Sequence, residues 1–172
     1  PRRHRRGTPH RGREGAGRLR PFLTPANYRS GVRIIGIDLG TKRIGLAVSD
    51  PGATVASPLA VLQRAKSRRA DHAEIARIVR EEEAGAIVVG LPLNMDGSRG
   101  PAARAAQSES EEIAAAVGVP VHLHDERLTT VTAERSLREA QLDAKQRRLV
   151  VDKVAAAILL QSWLDAHPQG HP

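Results

Sequence analysis

Cysteine is absent from the 172-residue chain, and long apolar runs are missing as well. Without cysteine there is no disulfide framework, thiolate metal site or thiol nucleophile, which suits a reducing compartment. No apolar run approaches the roughly 20 residues that a membrane-spanning helix needs. We therefore expect a cytoplasmic protein with no membrane partner, built as one ordinary domain around its own core.

Aromatic residues are almost absent too, with one each of Phe, Tyr and Trp. Phe22 and Tyr28 lie near the N-terminus, and Trp163 lies near the C-terminus. Proteins that hold single strands usually stack the bases on several aromatic side chains. A stacking platform of that kind is excluded, so any nucleic-acid recognition has to rely on backbone shape and charge.

The formal net charge of +8 comes entirely from the first 31 residues. They hold nine arginines and one acid, Glu14, whereas the rest of the chain holds 18 basic and 18 acidic side chains. Arginine, glycine and proline dominate this stretch, a composition typical of disorder. We expect a disordered tail over 1–31, a single domain over 32–166 and a flexible C-terminus over 167–172.

Three interpretations of the tail remain open. It could be a nucleic-acid-binding arm, or a transit-like segment, although it lacks an amphipathic pattern. It could also be an artefact of where the chain has been taken to start, since no initiating Met is present. We favour the last interpretation and rank the arm second.

The hydrophobic pattern beyond the tail predicts the order β-β-β-α-β-α-β-α-α. The first three strands, over 32–39, 43–48 and 54–62, form an antiparallel meander in which Pro58 places the third strand at an edge. Helices are predicted over 67–85, 101–117, 129–140 and 149–165, and further strands over 86–91 and 119–124. Their alternation favours parallel strands joined by helical crossovers.

Acidic residues gather where these parallel strands end, which is where ligands bind in such sheets. Asp38 ends the first strand, Glu126 follows the fifth, and Asp152 lies on an apolar stripe of the last helix. A carboxylate on such a stripe is costly without a partner. A shared Mg²⁺ or Mn²⁺ would pair with all three, and two such ions support phosphodiester cleavage. The alternatives are a turn-forming Asp38 and acids at helix N-termini for the other two.

The same edge carries candidates for phosphate binding, and each has a structural alternative as a turn cation, turn former or N-cap. These candidates are Lys42, Arg43, Asn94, Asp96, Ser98, Arg127 and Thr129. His122 and His124 share one face of the fifth strand, which we interpret as a strand surface and not as a zinc site.

Four segments resemble the YqgF/RuvX family of RNase H-like nucleases. They are "GIDLGTKRIGLAVSD" (36–50), "VGLPLNMDGSRG" (89–100), "DERLTT" (125–130) and "VDKVAAAILLQSWLD" (151–165), in the order typical of the family. The resemblance implies an RNase H-like α/β fold with a five-stranded mixed sheet. It also implies metal-dependent cleavage of nucleic acid, with Asp38, Glu126 and Asp152 as catalytic and metal-binding triad and Mg²⁺ or Mn²⁺, two ions, as cofactor.

The substrate that the resemblance implies is the precursor of 16S ribosomal RNA, cleaved at its 5′ end. Resolution of Holliday junctions is the first alternative, and it requires a homodimer that cuts two opposed strands. A non-catalytic protein that binds RNA or a transcription complex is the second. The intact acidic set argues against that second alternative, and the sequence is compatible with a monomer or a homodimer.

Overall fold

The computed structural model describes residues 31–128 and 144–168, with the side chains of 31–127 and 154–168. This part of the chain contains five strands and three helices. They are β1 (Arg33–Leu39), β2 (Arg43–Ser49), β3 (Ala56–Gln63), α1 (Arg68–Glu81), β4 (Ala84–Leu91), α2 (Pro101–Val117), β5 (Val121–Asp125) and α3 (Ala144–Ala166), with a 3-10 turn, Glu126–Leu128, directly after β5. The helix predicted over 129–140 lies outside the described residues. None of the helices in the described ranges is long and apolar enough to cross a membrane.

The order of elements is confirmed for the described residues, although some boundaries differ. The predicted end of α1 at Gly85 is wrong, because Glu83 already adopts a left-handed conformation with φ of 52° and β4 begins at the next residue. Gly85 is a strand residue and not a helix stop. β5 begins at Val121, two residues later than predicted, and α3 begins at Ala144, five residues earlier.

The five strands form one mixed sheet in the order β3-β2-β1-β4-β5. β1, β2 and β3 pair antiparallel, whereas β1 with β4 and β4 with β5 pair parallel. Pro58 lies on the edge strand, opposite Ala47 and beside a register shift. Its missing N–H removes little from the ladder at that position, so the prediction of an edge strand is confirmed. The sheet is the one that the resemblance implies.

Helices cover both faces of the sheet because the strand side chains alternate. Ile35 and Ile37 of β1 are buried in one cluster with residues of α1 and α2. Ile34 is buried on the opposite face with residues of α3, among them Leu160 and Trp163. The central strands are therefore apolar on both faces, and polar chemistry is left to their ends.

α3 lies closest to the sheet at Gly36 of β1. A Cβ atom on Gly36 would stand 2.7 Å from the Cβ of Leu160 and 3.1 Å from the carbonyl oxygen of Ala156. Further along α3, Gln161 accepts a hydrogen bond of 2.9 Å from the N–H of Ala56, the first residue of β3. Ala56 pairs with Ser49 at the end of β2, and that end of β2 pairs with the beginning of β1, so α3 runs antiparallel to β1. Its N-terminal half extends towards the carboxyl end of β1.

Candidate active site

Asp38 occupies the penultimate position of β1, the central strand of the sheet. It pairs with Gly45 of β2 and is half-buried, and its carbonyl oxygen accepts a 3.2 Å hydrogen bond from the N–H of Gly40. Alternation along the strand places its side chain on the face of Gly36, which α3 covers. The position of this carboxylate is thus fixed by the most constrained strand of the fold.

Glu126 follows β5 directly, in the first position of the 3-10 turn. Its carboxyl group lies against the backbone of Gly90, near the end of β4. A Cβ atom on Gly90 would stand 1.8 Å from Glu126 Oε1 and 2.8 Å from its Cδ. Only glycine leaves room for Glu126 at this point. Gly90 is not among the predicted site residues, although an isolated glycine in an apolar strand indicates a close approach of another group.

The electrostatics of the site couple the two acids. Burial raises the pKa of Glu126 to about 7, and the negative charges of Asp38 and then Asp125 add to the effect. Asp38 and Glu126 line the same cleft, which has a volume of about 530 Å³ and also borders α1 and α2. Two carboxylates that resist joint ionisation form a donor set that hard divalent cations such as Mg²⁺ and Mn²⁺ prefer.

The third predicted acid, Asp152, belongs to α3, but its side chain is outside the described residues. It precedes Ala156 by one helical turn, on the stretch of α3 that extends towards the carboxyl end of β1. Among the side chains that the structure describes, no three His, Cys, Asp or Glu residues form a group that could hold a metal ion. The described part of the predicted triad is the pair of Asp38 and Glu126.

The predicted phosphate ligands of the 92–100 loop form a closed set of hydrogen bonds. Asn94 Nδ2 donates to Ser98 Oγ at 2.8 Å, and Ser98 Oγ donates to Asp96 Oδ1 at 2.6 Å. All three side chains are exposed. The hydrogen bonds that Asp96 accepts from the hydroxyl and the backbone N–H of Ser98 lower its pKa. These hydrogen bonds within the 92–100 loop are the ones expected if the three residues form a turn. They also hold the loop in place near Asp38 and Glu126.

The remaining predicted ligands lie at separate points around the cleft. Lys42 is exposed in the β1–β2 turn, and Arg43 is half-buried at the start of β2. Arg127 hydrogen-bonds Asp125, with Nη2 to Oδ2 at 2.6 Å, and donates to the carbonyl oxygen of Met95 at 3.4 Å. This arginine thus ties the end of β5 to the 92–100 loop. Thr129 lies outside the described residues.

His122 and His124 face α3, so their side of β5 is not a free strand surface. The ring of His122 lies 5.7 Å from that of Trp163, and His124 Nε2 lies 3.0 Å from Ser162 Oγ. Burial, and then the proximity of His167, lowers the pKa of both histidines. These contacts identify the pair as part of the helix–sheet packing.

Comparison with known proteins identifies the family. The model of the family described as "RuvX: Holliday junction resolvase" matches residues 32–166. A protein of Anaeromyxobacter sp. (strain Fw109-5) named "Putative pre-16S rRNA nuclease" is 54% identical over 134 residues, which cover 78% of this chain and 97% of the relative. A protein of Myxococcus xanthus (strain DK1622) with the same name is 48% identical over 136 residues, or 79% and 89% of the two chains.

Among solved structures, the chain is similar to T. thermophilus RuvC in complex with Holliday junction substrate. The TM-score is 0.48 at 19% identity, and the match covers 79% of this chain and 95% of that one. The family match spans nearly the whole length of the described fold, and the relatives match over almost their entire length. The chain therefore belongs to the RuvX family of nucleases.

Proposed function

We propose that this chain is a metal-dependent nuclease that hydrolyses phosphodiester bonds in the precursor of 16S ribosomal RNA, at its 5′ end. The observation that carries the proposal is the pair of carboxylates, Asp38 and Glu126, that share one cleft at the carboxyl ends of parallel strands. The names of the relatives at 54% and 48% identity support the ribosomal substrate.

Asp38, Glu126 and Asp152 would together hold one or two Mg²⁺ or Mn²⁺ ions. When bound, such ions supply an activated water and stabilise the leaving oxygen. The fit rests on the donor set and on the space that Gly90 leaves for Glu126. The direction of α3 supports the inclusion of Asp152, since this helix extends towards Asp38.

Around the acids, cationic and polar side chains would contact the nucleic-acid backbone. Lys42 lies in the β1–β2 turn, Arg43 begins β2, and Arg127 follows β5 and contacts the 92–100 loop, so that each could meet a phosphate. Asn94, Asp96 and Ser98 would keep that loop in place, and Thr129 completes the proposed set. Without aromatic platforms, the substrate would be recognised through its backbone.

Resolution of Holliday junctions is the second candidate function, favoured by the description of the matching family. It would require two copies of the chain, each cutting one strand. The ribosomal role would require a cytoplasmic location and is compatible with a monomer. A purely binding role is the outcome expected if neither substrate is cleaved.

The test compares the wild type with Asp38→Asn and, as a matched control, Asp165→Asn on the exposed end of α3. Each protein is incubated with a 16S precursor fragment and with a four-way DNA junction, with Mg²⁺, with Mn²⁺ or with a chelator. We expect cleavage of the precursor alone, lost in Asp38→Asn and with chelator but kept in Asp165→Asn. Symmetric cutting of the junction alone would move the assignment to recombination, and equal activity of both variants would contradict the metal site.

A further inference from the structure

Beyond the acidic pair, the cleft reaches a buried cluster of charged residues where β3, α1 and α2 meet. The Arg64 cluster consists of Arg64, Asp71, His72 and Glu109, and two of its members line the cleft with Arg64. The side chains of Asp71, His72 and Glu109 are 4%, 6% and 6% exposed, and that of Arg64 is 18% exposed. Charged groups so deeply buried need partners for each of their polar atoms.

The guanidinium of Arg64 contacts three different segments of the chain. Both of its terminal nitrogens bind the carboxylate of Glu109 on α2, with Nη2 to Oε2 at 3.2 Å, and Nη1 also binds Asp71 of α1 at 3.3 Å. Burial opposes the ionised form of Glu109, but the hydrogen bond and charge of Arg64 outweigh it and hold the pKa of Glu109 below its usual value. Arg64 and Glu109 therefore form an ion pair at the centre of the cluster.

The third contact of Arg64 leads to the acidic pair. Its Nε donates a 3.0 Å hydrogen bond to the carbonyl oxygen of Gly40, and its backbone N–H donates to the carbonyl oxygen of Lys42, also at 3.0 Å. Gly40 follows Asp38 by two residues in the β1–β2 turn. The turn is tightly packed at Gly40, since a Cβ atom there would stand 2.6 Å from the carbonyl oxygen of Arg43.

A buried ion pair alone does not explain this arrangement, because well-packed apolar side chains would stabilise the fold equally well. What arginine adds is a rigid fork that can hold several acceptors in fixed directions at once. Here the acceptors are two helix carboxylates and one turn carbonyl. The geometry links the helix layer to the turn that ends β1.

We propose that Arg64 is a positioning residue that anchors the β1–β2 turn to α1 and α2 and thereby fixes Asp38 opposite Glu126. Its consequence for catalysis rests on the proposed function, whereas the anchoring itself does not. Substrate binding belongs to other residues in this scheme, so the loss of Arg64 should lower kcat more than it raises KM.

The test uses Arg64→Gln combined with Glu109→Gln, because Glu109 receives two of the three carboxylate hydrogen bonds of Arg64, whereas Asp71 keeps the 2.7 Å hydrogen bond from the N–H of Ala65. We expect a melting temperature near that of the wild type, faster amide hydrogen exchange over residues 40–43 by about tenfold, and kcat lower by about tenfold with KM within about twofold. Arg64→Lys keeps the charge without the fork, and we expect a smaller shift of both readouts in the same direction.

The matched control is Arg77→Gln on the exposed face of α1. Arg77 forms the same kind of fork with Glu74 and Glu81 but has no contact with the turn. Exchange over 40–43 and kcat should remain at wild-type values in this variant.

Wild-type exchange over 40–43 in the Arg64 variants would overturn the anchoring. A raised KM with unchanged kcat would make Arg64 a substrate ligand and overturn its role as a positioning residue. Faster exchange with kcat unchanged would overturn the link to Asp38. Faster exchange in variants of a wild type that cleaves neither substrate would support the anchoring and reject the proposed nuclease function.

Discussion

Glu126 and Gly90 show how a single contact shapes the site. The carboxyl group occupies the space where any other residue at position 90 would carry its Cβ atom. The same close approach keeps Glu126 out of water and near Asp38, the conditions that raise its pKa to about 7. A residue without a side chain thus helps to determine the chemistry of its neighbour.

Gly90→Ala is expected to displace Glu126 and to weaken Mn²⁺ binding by about tenfold or more, because one ligand is removed from its place. Binding is measured by electron paramagnetic resonance of the free ion. Gly85→Ala is the matched control, since it lies on the same strand and its new Cβ would overlap Val32 at 2.2 Å, away from the acids. Equal Mn²⁺ affinity in the two variants would contradict the role of Gly90.

The raised pKa of Glu126 predicts pH-dependent metal binding. A proton and a divalent cation compete for the carboxylate, so Mn²⁺ affinity should rise by about tenfold between pH 6 and pH 8. In the metal-free protein the pKa of Glu126 in the folded state, about 7, exceeds its ordinary value of 4.5. The unfolding free energy should therefore fall as the pH rises from about 4.5 to about 7. Glu126→Gln should remove both trends, and an affinity that is flat over pH 6–8 in the wild type would refute the prediction.

The packing of α3 on the sheet depends on a second glycine, Gly36. Leu160 and Ala156 approach its Cα so closely that a side chain there would push the helix outward. Asp152 lies one turn before Ala156 on the same helix. The distance between helix and sheet at Gly36 therefore bears on where the third acid of the proposed triad stands.

Gly36→Val is expected to cost about 1–3 kcal/mol of unfolding free energy through overpacking and to weaken Mn²⁺ binding as well. Thermal melting and Mn²⁺ titration measure the two effects. Ile35→Val serves as control, since Ile35 is buried on the opposite face with α1 and α2. It should cost about 0.5–1.5 kcal/mol and leave Mn²⁺ affinity unchanged. A Gly36→Val protein that melts lower yet binds Mn²⁺ normally would separate α3 packing from the site.

The sequence predicts most elements because β-branched runs and amphipathic spacing determine them locally. Asp38 and Glu126 could be identified from their positions at the ends of strands that the α/β alternation makes parallel. The partners of Gly90, Gly36 and Arg64 could not be identified, since all of them are distant along the chain. The end of α1 was missed for a different reason, namely that Glu83 adopts a conformation usually left to glycine.

At the scale of the whole molecule, charge is divided unevenly along the chain. Residues 1–31 carry the entire net charge of +8, and the rest of the chain is balanced. The affinity of cationic segments for nucleic acid comes from released counterions and therefore falls steeply with salt. Any sequence-independent binding by this chain should thus reside in the N-terminal stretch.

Removal of residues 1–30 is expected to reduce non-specific RNA affinity and the slope of its logarithm against the logarithm of salt concentration. Melting temperature and kcat should remain unchanged, because the acids and their supporting contacts lie beyond residue 31. Removal of 169–172, which contains no Lys, Arg, Asp or Glu, is the control. An unchanged salt slope after removal of 1–30 would mean that the balanced domain itself provides the phosphate contacts.

The contact between α3 and β5 gives the protein a built-in optical reporter. Trp163 is the only tryptophan and is 2% exposed. Its ring stacks on that of His167, with the centroids 4.5 Å apart, and lies 5.7 Å from the ring of His122 on β5. Its intrinsic fluorescence therefore originates where the helix that carries Asp152 rests on the sheet. Docking of α3 can thus be followed in unlabelled protein while metal or RNA is added.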